Sequence, residues 1–274
     1  AGGTGAGSVA NQLYNPTDIT LDADGNIYIS DAGNHRIQKW EPGASEGTTV
    51  AGGNGAGPAA DQLRYPNGIA LDASENIYIS DAANHRIQKW TPGASEGTTV
   101  AGGNEQGSAS NQLHAPSGIT FDASGNIYIA DNGNHRVQKW EPGASEGTTV
   151  AGGNGEGSAA DQLKYPTGIA LDASGYLYIS SGISFTLDNN RIQKWALGAS
   201  EGTTVAGGNG EGSAANQLDW PTGITLDDFG NLYIADYGND RIQKWVQAQL
   251  DNDGDGVGEL CDNCKLVANA NQLD

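Results

Sequence analysis

The chain of 274 residues has no methionine, two cysteines and four histidines. Both cysteines, Cys261 and Cys264, lie near the C-terminus, so no disulfide framework is available to the main body. No run approaches the ~18 apolar residues of a membrane-spanning helix. No segment shows a helical period. The first residue is Ala1, with no charged and apolar leader before it, as expected of a processed chain or a fragment. Positive charge is also scarce: 13 Lys and Arg stand against 33 Asp and Glu, for a net charge of −20. A field of that sign repels phosphate backbones and anionic headgroups, so nucleic acid and membrane are poor partners and cations are good ones.

What the chain has in excess is glycine, 42 residues, and repetition. Proline recurs at 16, 66, 116, 166 and 221, and tryptophan at 40, 90, 140, 195 and 245. The period is 50 residues, lengthened by five in the fourth copy, where SSGISFTLDNNR replaces SDAGNHR. Such self-similarity decides the fold class. In the second copy, GIALDA (68–73), NIYIS (76–80), RIQKW (86–90) and TTVAGG (98–103) read as four strands separated by Gly, Asn, Asp and Pro. Ile69 and Leu71 face one way and Ala70 the other; Ile77 and Ile79 oppose Tyr78. Apolar groups on both faces predict small sheets stacked face to face, as in a β-propeller.

YPNGIALDASENIYISDAANHRIQKW resembles an NHL repeat, with its P-x-G-I-x-x-D, G-N-I-Y-V-x-D and N-H-R-I segments. Five copies match over about residues 1–245. The departures are Asp18 for a glycine, Ser181 for an aspartate, and Asn190 and Asp240 for histidines. The resemblance implies an all-β propeller of four-stranded blades, with GIALD innermost and TTVAGG outermost, and the five motifs predict a five-bladed propeller. AGG at residues 1–3 matches the end of an outer strand, and none follows Trp245, so the N-terminal strand is expected to close the last blade. A six-bladed propeller with a blade missing is the alternative. With only three residues of that strand present, part of the edge is expected to remain open to another chain.

His35, His85 and His135 occupy equivalent corners. With strands ~4.8 Å apart, such corners lie roughly 14 Å from the axis and about 16 Å from each other. A zinc ion needs its ligands within a few ångströms, so these histidines are expected to shape turns, with the following arginine pairing to aspartate or to backbone carbonyls. The amidating lyase of the NHL family holds zinc with histidines that line its channel; the innermost segments here, TDITL, NGIAL, SGITF, TGIAL and TGITL, have none. His114, before Pro116, is expected at the surface. Asp22, Asp72, Asp122, Asp172 and Asp227 end the innermost strands, where turn capping is the favoured role over a shared axial cation. Tyr14, Tyr65, Tyr165 and Trp220 precede prolines and either fill gaps between blades or form a binding rim.

After Leu250 the pattern changes to DNDGDGVGELCDNCKLVANANQLD. Asp251, Asp253, Asp255, Val257, Glu259 and Asp262 fall at positions 1, 3, 5, 7, 9 and 12 of an EF-hand-like loop, with Gly256 at the sixth. Carboxylates at that alternation converge on a hard cation, so Ca2+ is the expected cofactor and these six residues its ligands, Val257 through its carbonyl. The segment also resembles a thrombospondin type 3 repeat, which implies a calcium-wrapped connector. Two domains are expected: residues 1–248, the propeller, and 249–274, the partial calcium-binding repeat. Calcium and cysteines together point to a secreted or cell-surface protein.

The functional expectation from sequence is a non-catalytic extracellular scaffold. The propeller would contact a protein or glycan ligand, the tail would stiffen with calcium, and copies could associate through the open edge and tail. The alternative is a metal-dependent lyase or hydrolase with its site in the central channel.

Overall fold

The computed structural model describes residues 1–182 and 189–246. Five antiparallel sheets follow one another along the chain. Blade one contains β1 (Pro16–Leu21), β2 (Ile27–Asp31), β3 (Arg36–Trp40) and β4 (Thr48–Gly52). Blade two contains β5 (Pro66–Leu71), β6 (Ile77–Asp81), β7 (Arg86–Trp90) and β8 (Thr98–Gly102). Blade three contains β9 (Ile119–Phe121), β10 (Ile127–Asp131), β11 (Arg136–Trp140) and β12 (Thr148–Gly152). Blade four contains β13 (Pro166–Leu171), β14 (Leu177–Ser181), β15 (Arg191–Trp195) and β16 (Thr203–Gly207). Blade five contains β17 (Pro221–Leu226), β18 (Leu232–Asp236) and β19 (Arg241–Trp245). The only helical elements among the described residues are single 3-10 turns before the third strands, such as Ala32–Asn34.

The expected five-bladed propeller is therefore present, with strands in chain order within each sheet and the P-x-G-I strand innermost. The alternation seen in the sequence divides the residues between joints. Tyr28 and Ile37 of blade one pack with Ile69, Ile77, Ile79 and Trp90 of blade two. Tyr78 and Ile87 of blade two then pack with Ile119, Ile127, Ile129 and Trp140 of blade three. Each buried isoleucine contributes about 1.5–3 kcal/mol, so stability is distributed over the joints.

Glycine permits the innermost strands to touch. A Cβ at Gly68 would stand 2.3 Å from the Ser117 carbonyl oxygen, and one at Gly118 would stand 2.5 Å from that of Thr167. Real Cβ atoms do not approach so closely, so backbone meets backbone near the axis.

Closure differs from expectation. Among the described residues the fifth sheet has three strands, and residues 1–5 form none. Ala6 instead bridges to Leu13 within its own loop. Among the described residues nothing covers the side between blades five and one. Ile37, Ile87 and Ile192 are fully buried, whereas their counterpart Ile242 is 69% exposed. On the facing side Ile19 is 56% exposed against 4% for Ile69. The physical reason is that among the described residues no sheet packs on the outer face of blade five or of blade one, so half of a joint is left on each.

Candidate functional site

The sequence-predicted residues resolve first. The left-handed backbone at His35, His85 and His135, φ near +55°, closes the 3-10 turn before each third strand. The arginine that follows bonds the aspartate before the turn: Arg36 Nε meets Asp31 Oδ2 at 2.7 Å, and Arg86–Asp81, Arg136–Asp131 and Arg241–Asp236 repeat that distance. The histidines are thus turn residues, as expected. They also do something the sequence did not reveal. His35 Nδ1 accepts the Tyr65 backbone N–H at 3.2 Å, His85 that of Ala115 at 3.1 Å, and His135 that of Tyr165 at 3.1 Å. Each imidazole latches its blade to the next. Burial lowers the pKa of His85 and His135, keeping them in the neutral form that can accept.

Two of the aromatic residues before the prolines serve the same joints. Tyr65 lies edge-on to His35 at 4.7 Å and Tyr165 to His135 at 4.5 Å. Trp220 meets Tyr237 at 4.7 Å within blade five. His114 stands 5.7 Å from the ring of His85 and is partly buried.

The five strand-ending aspartates cap turns. Asp22 accepts the backbone N–H of Asp24 and Asn26 at 3.1 and 2.9 Å, the Asn26 amide at 2.8 Å and the Tyr28 hydroxyl at 3.2 Å. Desolvation opposes ionisation of Asp22, but these bonds outweigh it and lower the pKa. Lys39 sits 3.6 Å from the same carboxylate. With their oxygens so engaged, the aspartates offer no shared axial cation site. Among the described residues no three His, Cys, Asp or Glu side chains gather where they could hold a metal.

One axial residue departs from the repeat. Asp18, in β1, replaces the glycine of Gly68, Gly118, Gly168 and Gly223. Its carboxylate accepts the Ile69 N–H of blade two at 2.9 Å and the Ile19 N–H at 2.8 Å. Burial raises its pKa from 3.8 to about 6 despite those bonds. The substitution was legible in the sequence; its chemical consequence was not, because desolvation depends on the neighbouring blade. The tail residues Asp251, Asp253, Asp255, Val257, Glu259 and Asp262 lie outside the described residues.

The fold and these latches define an NHL-type β-propeller. An NHL-repeat model matches residues 218–245. The model for the SMP-30/gluconolactonase/LRE-like region matches residues 7–151, more than half of the chain, and the chain belongs to that family. No curated protein matches it. Among solved structures, a gluconolactonase from Xanthomonas campestris is 16% identical with a TM-score of 0.61, covering 86% of this chain and 77% of that one. A virginiamycin B lyase from Staphylococcus aureus is 16% identical with a TM-score of 0.54, covering 84% and 69%. A chain of a nidogen/laminin complex is 19% identical with a TM-score of 0.61, covering 83% and 74%. At such identities the likeness shows the fold alone.

Family membership corrects the expectation of a non-catalytic scaffold. The matching family is named for an enzyme, and an enzymatic role replaces the scaffold reading. The repeat misled because it reports architecture, and a fold does not by itself fix function. Members of this family typically bind a divalent metal. The described residues do not fit one: the turn-capping carboxylates are already bonded, and no cluster of three ligands forms.

Proposed function

We propose that this chain is a hydrolase or lyase whose chemistry takes place at the propeller axis, with Asp18 as its acid–base group. Family membership supports the class of activity. The observation that carries the residue assignment is a carboxyl raised to about 6 where four other blades have glycine. A catalytic acid or base works best with a pKa near the working pH. For a lactone, the Asp18 carboxylate takes a proton from water as its oxygen attacks the carbonyl carbon. The ring C–O bond breaks, and the same proton passes to the departing alkoxide. The test is turnover of a sugar lactone by the full chain and by Asp18→Asn. The expected result is a loss of about 10²–10⁴-fold in the variant. Equal turnover by both proteins would overturn the assignment, and no turnover by the native chain would overturn lactones as the substrate class.

The acidic segment adds a Ca2+ site to this proposal, with Asp251, Asp253, Asp255, Glu259 and Asp262 as carboxylate ligands and Val257 as a carbonyl ligand. The support is their spacing and the resemblance to a thrombospondin type 3 repeat. A boundary near residue 248 and an extracellular location belong to the same reading. Association between copies is supported by the exposed Ile242 and by the absence of a fourth strand beside β19 among the described residues. Light scattering across calcium concentrations tests both, and a monomer throughout would overturn the association.

A further inference from the structure

Blade four breaks the rule that the other four keep. In blades one, two, three and five the aspartate that ends the second strand does two things. One oxygen accepts a backbone N–H from the preceding loop, as Asp31 accepts that of Tyr14 at 2.7 Å. The other receives the arginine Nε at 2.7 Å. Blade four has Ser181 instead. Its hydroxyl takes over the first role, accepting the Lys164 N–H at 3.2 Å. It cannot take over the second, because it has no charge and one oxygen fewer.

Arg191 nevertheless stays in place. Its terminal nitrogens donate to the carbonyls of Ser158, Ala159 and Gln162 at 2.7, 2.8 and 3.1 Å, like those of the other arginines. It is 8% exposed, and its Nε has no partner among the described residues. Beside it in sequence, Asn190 is 2% exposed with its Nδ2 unpartnered, and Asn189 is 1% exposed with its Oδ1 unpartnered. All three line a half-open cavity of about 630 Å³ with Ser158 and Thr204. Burial lowers the pKa of the guanidinium, and no carboxylate of the described residues is set against it. A buried cation without its partner is strongly unfavourable, and guanidinium stays charged in proteins.

We propose that blade four holds a compact monovalent anion on Arg191 Nε, a chloride or the carboxylate of a small acid, in the role that an aspartate side chain plays in the other blades. The recognising chemistry is one cationic N–H donor with the Asn190 amide beside it on the cavity wall, in a blade where Ser181 stands in the place of the aspartate. The Asp-to-Ser difference removes a single negative charge, which sets the ligand's valence. This proposal is independent of the one for Asp18.

Chloride NMR linewidth on the full chain tests it, with sodium acetate as competitor at fixed ionic strength. The native protein is expected to broaden the chloride signal saturably, and acetate to restore the free-ion width. Ser181→Asp returns the internal partner and is expected to abolish the excess broadening. It is also expected to raise Tm in chloride-free buffer and to remove any chloride dependence of Tm beyond general screening of the net charge. Arg191→Gln removes the cation and serves as a second variant with the same expected loss of broadening. No saturable broadening by the native chain would overturn the proposal, as would broadening that persists in either folded variant.

Discussion

His135 Nδ1 accepts the Tyr165 backbone N–H at 3.1 Å, joining blade three to blade four through a bond that only an unprotonated ring nitrogen can make. The same relationship joins blades one to two and two to three. At the next joint Asn190 Oδ1 takes the role, accepting the Trp220 N–H at 3.1 Å. Histidine and asparagine are interchangeable in geometry there but not in their response to acid.

The first prediction concerns that difference. Burial holds the pKa of His85 and His135 below the ordinary 6.5 in the folded state. Between the folded and unfolded values the unfolded chain binds more protons, so stability is present above about 6.5 and is lost as pH falls toward the folded values. Replacing both with asparagine is expected to keep the latches and flatten the slope of Tm below pH 6.5. An unchanged slope, measured by thermal melts in buffers of equal ionic strength, would show that the latches do not titrate.

Asp18 titrates in the opposite sense. Its pKa is 3.8 unfolded and about 6 folded. The folded state holds the extra proton between those values, so this group's contribution is complete below 3.8 and is lost as pH rises through about 6. Asp18→Asn is expected to remove that loss while a pH–rate profile loses its limb near 6. Chemical denaturation from pH 4 to 8 and the rate profile read the two effects separately.

The open side makes a packing prediction. Ile192 is fully buried and Ile242 is 69% exposed, although both hold the same place in RIQKW. Ile192→Ala is expected to cost about 2–5 kcal/mol. Ile242→Ala is expected to stay within about 0.5 kcal/mol. Equal costs in urea melts would mean that the last blade is covered in solution.

Calcium binding supplies the fourth test. Asp255→Asn removes one proposed ligand charge from the acidic segment. Calorimetric titration is expected to show one calcium site in the full chain and a weakened one in the variant, with the melting of the propeller unchanged. Identical isotherms would remove Asp255 from the ligand set.

The repeat made much of this legible. Strands such as Arg86–Trp90 matched the sequence reading residue for residue, because alternation with apolar groups on both faces admits few arrangements other than stacked small sheets. Turn capping by Asp22 and its equivalents was legible for a similar reason: an aspartate before a tight turn acts on its own backbone. The identity of the closing element was not. Residues 1–3 resemble the end of an outer strand, yet resemblance to a strand does not fix which sheet receives it, and none did.

By itself the sequence determined the blade, its strand order and the positions where one copy differs from the others, since those depend on neighbours a few residues away. Only the tertiary structure decided what the differences mean. Asp18 became a carboxyl with a raised pKa, and Arg191 a buried cation without its aspartate, because desolvation and charge pairing depend on groups that folding brings together from distant parts of the chain.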